Sequence, residues 1–383
     1  MSRLRKFGRR FFIIANVLLV VLFLLSCLSP YTDPRKWWWI AFLGLGFPLL
    51  LFLNLIFLAA WLIILKPKRA LISAFSLILA YNNIAMFFAF HAPGAFDYIK
   101  APSTLRVMSW NVARFIELKR NTGNKGSQTR LKMFDLIKQQ DADVLCFQEF
   151  YTATDSIYFD NIKPIRELGY PYYFFTFDDD GDNQYYSSII FSRYPLIDSG
   201  RVRYPRPSLP EVLMYVDIKK GNDTIRIFTT HLQSLQFYRS DYQRIKEIST
   251  GQDSLIANSK TVIGKIKKGF SRRAIQADVA DDVMSISPHP HIMCADLNDV
   301  PNSYSYYTVK GDMQDAFLKK GFGIGRTFSG LSPTLRIDYI FADKSFRIKQ
   351  FNRISKRLSD HYMLVADLEL RSPKVGKSET PKE

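Results

Sequence analysis

The sequence predicts an α+β fold, a four-layer α/β sandwich of two packed, mainly antiparallel sheets flanked by helices, preceded by three transmembrane helices. Three observations carry this expectation. The segments Phe11 to Leu28, Trp37 to Leu65 and Ala70 to Phe90 contain no charged residue, and each is long enough to cross a bilayer as a helix. From about Pro102 the pattern changes to short apolar strands with turn signals between them. A few stretches with apolar residues at helical spacing interrupt those strands, which is the mixture that two helix-flanked sheets require. With 383 residues, 47% apolar and 15% aromatic, the chain has material for a large core and is too apolar to be disordered.

The spans are placed at about 11–28, 38–65 and 70–90, within a membrane anchor covering residues 1–100. A single domain is expected over 101–371, and a disordered tail over 372–383. Arg3, Arg5, Lys6, Arg9 and Arg10 precede the first span, and Lys66, Lys68 and Arg69 separate the second from the third. These ends are therefore expected in the cytoplasm. The loop between the first two spans has only Arg35 and Lys36 as basic residues, and its tryptophans 37–39 suit the interfacial belt. An odd number of spans places everything after His91 outside. A cleaved signal peptide is the competing reading of the first segment, and Cys27 in "LLSCLS" weakly resembles a lipoprotein cleavage site. The two further segments keep the chain at the membrane in either case.

Formal charge is +17. Residues 1–100 account for +9 of it, which serves topology, and the remainder leaves +8. That excess is compatible with a phosphate-bearing partner and equally with a solvated basic surface. The three cysteines, Cys27, Cys146 and Cys294, show neither zinc spacing nor a disulfide framework and read as buried, inert thiols.

Along the soluble part, "TLRVMSWNV" reads as a strand and "SQTRLKMFDLIKQQ" as a helix, with Leu131, Phe134 and Ile137 on one face. "DVLCFQEF", "YYFFTF", "SSIIFSRYP", "EVLMYVDIKK" and "TIRIFTTHL" follow as strands, the last two joined by the tight "GND" turn. A basic stretch, Ser234 to Arg273, then separates the halves. "RRAIQADVADDVMSIS" has helical spacing of Ile275, Val279 and Val283, and "PHIMCADLND", "LRIDYIFAD", "FRIKQF" and "HYMLVADLEL" complete the strands.

Several strand ends carry residues that are expensive to bury and useful together: Asn111, Glu149, His231, Asp296 with Asn298, Asp338, and the "SDH" that holds Asp360 and His361. Polar groups at the ends of apolar strands are how a sheet sandwich builds a site at one rim. The set is an inventory for phosphoester hydrolysis. A hard cation such as Mg²⁺ takes oxygen ligands, one or two of them carboxylates, and Glu149 with Asn111 and Asp360 suit that task. A histidine near its ordinary pKa can take a proton from water while a carboxylate fixes its tautomer, which fits His361 with Asp338. Asp296 and Asn298 are placed to hold or activate the attacking water, and His231 to stabilise the phosphoryl oxygens or protonate the leaving group.

In chain order, "WNV", "QE", "THL", "DLND", "IDYIF" and "SDH" resemble the endonuclease/exonuclease/phosphatase superfamily, from about Thr104 to Leu370. The resemblance implies a four-layer α/β sandwich as the catalytic domain at 101–371. It also implies hydrolysis of a phosphoester by in-line water attack, dependent on Mg²⁺, with Mn²⁺ as a substitute. By the same resemblance Asn111 and Glu149 would hold the metal, and Asp360 would complete the metal or phosphate environment. His231 would contact phosphate, Asp296 and Asn298 would position nucleophile and phosphate, and Asp338 would orient His361. Two departures stand out. Ala295 precedes "DLN" where members often have Gly, and Ala113 and Arg114 follow "WNV" where the abasic-site nucleases carry an acidic residue, which argues against that branch.

A phosphodiesterase or nuclease acting on nucleic acid is the leading expectation, with a phospholipid or sphingolipid head-group hydrolase as the alternative. A catalytically inactive binding module is disfavoured because every polar position of the set is present. The stretch from Ser234 to Arg273, with Lys260, Lys265, Lys267, Lys268, Arg272 and Arg273, is expected either to grip anionic substrate or to form solvated amphipathic helices. "DDDGDN", Asp178 to Asn183, lacks the downstream glutamate of a calcium loop and reads as a polar turn. His289 and His291 have no partner at metal-ligand spacing and read as loop residues.

Overall fold

The computed structural model describes residues 3–92, 94–119, 128–205, 212–235, 255–330 and 332–371. The expected tail at 372–383 and part of the basic stretch, at 236–254, lie outside these residues.

Among the described residues, two packed sheets flanked by helices form the expected sandwich between Thr104 and Leu370. A two-stranded sheet pairs β1 (Ala89–Phe90) with β11 (Phe322–Gly323). One six-stranded sheet has the order β13 (Phe346–Ile354), β14 (Met363–Leu370), β2 (Thr104–Asn111), β3 (Val144–Ala153), β5 (Gln184–Ser192), β4 (Tyr172–Phe175). The other has the order β10 (Gln314–Asp315), β12 (Asp338–Ala342), β9 (His291–Asp296), β8 (Asp223–His231), β7 (Val212–Lys220), β6 (Leu196–Arg203). Pairing is antiparallel except for β2 with β3 and β8 with β9. Each parallel pair needs a crossover, and each crossover supplies a helix to an outer face.

The inner faces of the two sheets share one core, in which Val107, Cys146, Ile190, Val216, Ile227, Cys294, Ile340 and Leu364 are buried. Cys146, Cys294 and Cys27 are free and buried, as expected, and burial raises the Cys146 thiol well above its ordinary pKa. The first sheet's outer face packs on helix Thr129–Gln140 through Met133, Leu136 and Ile137. The second sheet's outer face packs on helices Leu255–Ser285 and Tyr304–Lys310 through Ala277, Ala280, Met284, Tyr306 and Val309.

Besides short helices and strands such as Ile162–Glu167, Tyr304–Lys310 and Gln314–Asp315, a strand and a long helix differ from the expectation. Strand β6 was not visible in the sequence because it is an edge strand, "LIDSGRVR", whose residues are half-buried or exposed. The helix expected from residue 272 begins at Leu255, so the second half of the basic stretch is one continuous helix with the segment after it. Val262, Ile266 and Phe270, four residues apart, are buried against Ala41 and so continue the apolar stripe.

Arg106 secures the link between the helical N-terminal part and the sandwich. Its buried guanidinium makes a two-pronged bond to Asp367, at 2.7 and 2.9 Å, and donates to the carbonyls of Asp97, Tyr98 and Gln140.

In residues 1–100 one segment, Phe7–Tyr31, is long and apolar enough by itself to cross a membrane. The second apolar stretch is a pair of helices, Trp38–Leu45 and Phe47–Ile63, bent by 62°. The third is likewise a pair, Pro67–Leu79 and Tyr81–Phe87, bent by 62°. The expectation of three unbroken spans is corrected to one straight helix and two bent pairs. The break in the first pair falls at Gly46 with Pro48 close behind; the proline lacks the amide hydrogen that would continue the ladder.

Candidate active site

Strand register assembles half of the site. His231 pairs with Asp296 across β8 and β9, and Asp296 pairs with Asp338 across β9 and β12. The three side chains therefore stand in a row at one rim of the second sheet. The first sheet faces them with Asn111 at the end of β2, Glu149 in β3 and His361 just ahead of β14.

Glu149 sits at a bulge in β3, where the register with β5 slips between Phe147 and Phe150. Its φ of +51° is a conformation that residues other than glycine rarely adopt. Asn298 likewise has a φ of +50°. The turn after Asn111 continues this pattern, since Ala113, Arg114, Phe115 and Ile116 all have positive φ. Strained backbone of this kind is concentrated at functional sites, where surrounding structure holds it in place.

Hydrogen bonds cross the cleft between the sheets. Asn111 Nδ2 donates to Asp296 Oδ2 at 3.0 Å and to Glu149 Oε1 at 3.3 Å. His361 Nδ1 lies 3.0 Å from both oxygens of Asp338 and 3.7 Å from Asp296 Oδ2. The backbone amide of Asn298 donates to Asp296 Oδ1, and its side chain donates to the carbonyl of Leu232. His231 Nε2 is buried and has no hydrogen-bond partner among the described residues. It points between Asp296 Oδ2, at 3.7 Å, and Glu149 Oε1, at 3.9 Å.

His361 and Asp338 are both buried. Burial by itself draws the imidazole pKa down, but the charges of Asp338 and Asp296 outweigh it and push the value up to about 10. Burial raises Asp338 above the usual carboxylate range, against the opposing pull of His361. The expectation of a histidine near its ordinary pKa is corrected accordingly, because the sequence does not reveal how closely two carboxylates approach one buried ring.

Asp296, Asp338 and His361 each offer one ligand atom, all within 4.8 Å of one another. Glu149 adds a half-exposed carboxylate and Asn111 an amide. This donor set is oxygen-rich and contains no thiolate. It gathers three carboxylates around the His361 ring, and Nε2 of His231, with no hydrogen-bond partner among the described residues, faces the same space. Such uncompensated negative charge in a partly desolvated cleft fits a hard divalent cation. Of the other expected site residues, Asn298 supports Asp296 through its backbone amide, and Asp360 is not drawn into this group. It is exposed, and its carboxylate accepts from Ser359 Oγ at 3.2 Å.

Several supporting residues were not singled out from the sequence. Gln148, fully buried, donates to Thr229 across the sheets at 3.0 Å. Thr327 accepts from the amides of Ile337 and Asp338. Ser359 donates to the carbonyl of Asn111, and the Trp110 indole donates to the carbonyl of His361. The Phe328 ring lies 5.0 Å from that of His361. Gln148 and Ser359 lie within the quoted motifs, so adjacency to assigned residues was the available signal; Thr327 and Phe328 had none. Two further sequence features lie elsewhere, and His291, expected in a loop, is the first residue of β9. Asp178 and Asp180 of "DDDGDN" pair with Arg203 and Arg114, and His291 stands at the opposite end of β9 from Asp296.

A two-sheet sandwich with a His–Asp pair and oxygen donors converging at one rim defines a hydrolase of phosphoric esters. Comparison with known families agrees. Residues 108–361 match the Endonuclease/Exonuclease/phosphatase family, and the chain belongs to it. Residues 9–87 match a domain of unknown function. No curated protein matches the chain. Among solved structures, an endonuclease/exonuclease/phosphatase from Beutenbergia cavernae is 19% identical, with 70% of this chain and 72% of that one covered and a TM-score of 0.46. The human nocturnin catalytic domain with bound sulfate is 18% identical, covering 70% and 94%, with a TM-score of 0.48. A mannosyl-6-phosphatase from Bacteroides thetaiotaomicron is 17% identical, covering 69% and 99%, with a TM-score of 0.44. Likeness at this level carries no inference about substrate.

Proposed function

We propose that the protein is a membrane-anchored, Mg²⁺-dependent phosphoester hydrolase, a phosphodiesterase or nuclease, that uses in-line attack by water. The observation that carries this reading is the buried contact of His361 with Asp338 and Asp296, which joins the two sheets at their common rim.

In this reading Glu149 and Asn111 hold the cation, Asp360 completes its electrostatic surroundings at the exposed rim, and Mn²⁺ can replace Mg²⁺. Bound there, the cation supplies Lewis-acid stabilisation of phosphoryl charge and offsets the carboxylates that hold the proton on His361. Asp338 fixes the ring through Nδ1, so Nε2 is the atom that receives the proton of the attacking water. Asp296 and Asn298 orient that water and a phosphoryl oxygen. His231, whose Nε2 has no hydrogen-bond partner among the described residues, contacts the phosphate and steadies charge as it develops.

The same reading places three membrane passages in residues 1–100, with each bent pair as one passage, the N-terminus inside and the catalytic domain outside. A phospholipid or sphingolipid head group is the alternative substrate. It draws support from contact between the site loops and the N-terminal helices, as in the 2.7 Å bond from Asn83 to Asn302.

The test uses the full chain in detergent with Mg²⁺ or EDTA, offered a phosphodiester dye, plasmid DNA, RNA and mixed phospholipid. His361→Ala is expected to lower turnover by roughly two to four powers of ten, the usual size of a lost general base. Cleavage that survives EDTA or proceeds at the native rate in the variant refutes the mechanism. The fastest-cleaved substrate decides between the two readings.

A further inference from the structure

The first apolar helix, Arg3–Ser26, ends against the catalytic rim. The amides of Cys27 and Leu28 take the carbonyls of Phe23, Leu24 and Leu25, and the next two carbonyls, which the helix leaves over, go to side chains from elsewhere. Asn302 Nδ2 donates to the carbonyl of Ser26 at 2.9 Å, and Asn83 Nδ2 donates to that of Cys27 at 3.0 Å. Asn83 also donates to Asn302 Oδ1 at 2.7 Å, which closes the network. Both asparagines are buried. Gly44 leaves room for it: a Cβ there would lie 2.8 Å from the carbonyl oxygen of Asn302.

A second link lies close by. The buried guanidinium of Arg336 donates to the carbonyl of Met86 at 2.7 Å and to Asp315 at 2.6 Å. Asn302 is four residues beyond Asn298, and Arg336 is two residues ahead of Asp338. The two loops are also bonded to each other. The amide of Leu297 donates to the carbonyl of Ile337 at 2.9 Å, and Tyr339 Oη donates to the carbonyls of Asp299 and Arg336.

We propose that the N-terminal helices are part of the catalytic apparatus: through Asn83–Asn302 and Met86–Arg336 they set the position of the loop that carries Asn298 and of the segment that leads into Asp338 at the start of β12. Asn83, Asn302 and Arg336 are positioning residues, and none touches the cleft's polar groups directly. A small displacement at a reacting centre costs up to about a hundredfold in rate, so anchorage of these loops is a determinant of turnover. The proposal rests on the hydrolytic reading for its kinetic test but not for its structural one.

The full chain is assayed in detergent with bis(4-nitrophenyl) phosphate and Mg²⁺. Asn83→Leu is expected to lower kcat about tenfold to a hundredfold, with KM within a factor of two. The Asn83→Leu, Asn302→Leu double variant should be no slower than the worse single variant. Asn302→Asp keeps the acceptor for Asn83 and loses the donor to Ser26, so it should fall between wild type and Asn302→Leu. Hydrogen exchange in EDTA gives a readout free of turnover: amides 297–303 and 336–337 should exchange faster in Asn83→Leu and Asn302→Asp, with the strands unchanged. Native kcat together with unchanged exchange in both variants overturns the proposal, as does faster exchange throughout the chain. If the wild type leaves the dye intact, the hydrolytic reading of that substrate fails, and exchange alone decides this one.

Discussion

Replacing Asp338 by Asn tests the electrostatics of the site most directly. In the metal-free protein His361 is buried, with both Asp338 oxygens 3.0 Å from Nδ1, and its pKa is pushed up to about 10 from an ordinary 6.5. At that distance and an effective dielectric of about 20, the carboxylate favours the imidazolium by on the order of 5 kcal/mol, roughly 4 pK units. With that charge gone, burial opposes protonation and only the weaker pull of Asp296 favours it, so the titration of His361 should move far down from about 10. The assay is an NMR titration of the imidazole C–H resonances in EDTA; with five histidines in the chain, assignment by single substitution is practical. The sign of the linked stability follows. A folded-state pKa raised above the unfolded value contributes stability that is complete below about pH 6.5 and lost as pH rises toward 10. Metal-free wild type should therefore melt at progressively lower temperature across that window through this group, and the loss should shrink in Asp338→Asn. A wild-type His361 that titrates near 6.5, or one whose titration is unmoved in the variant, refutes the reasoning.

Three further outcomes are expected. Glu149→Gln should weaken Mn²⁺ binding, measured by electron paramagnetic resonance, by at least about tenfold while the far-ultraviolet spectrum stays native. Asp367→Asn leaves the fully buried Arg106 guanidinium without its charge partner and should cost about 3–5 kcal/mol in a denaturant titration. Gly44→Ala places a Cβ 2.2 Å from Ser29 Oγ, so the helix Trp38–Leu45 must back away, at about 1–3 kcal/mol in detergent melting.

Strand content was legible wherever strands are buried on both faces. Stretches such as "TLRVMSWN" and "HIMCAD" have nothing but apolar or strand-forming reasons to be where they are, and both appear as strands. The edge strand β6 was illegible because half-exposed residues carry no pattern distinct from loop. The polar ends of strands were legible as a set because each is expensive at the end of an apolar run. Their mutual geometry was not. Nothing local to "SDH" says that Asp360 faces solvent while His361 is buried between carboxylates, since that is decided by strands more than 20 residues away in sequence. The bends in the second and third apolar segments were hidden for a similar reason. Composition alone reads "WWIAFLGLGFPLLL" as one continuous apolar span, and only the placement of Gly46 and Pro48 marks the break.

The pairing of β14 with β2 joins Leu364 to Ser109 and Leu368 to Leu105. During synthesis the first sheet therefore waits with an unfilled gap beside β2 until residues 358–370 have left the ribosome. The segment that fills the gap is the one that brings His361 to Asp338. Closure of the sheet and completion of the proposed hydrolytic centre are thus a single event, and a late one, because such distant pairings close slowly. A partly made chain would already have its apolar N-terminal helices while still lacking any means of cutting a phosphoester.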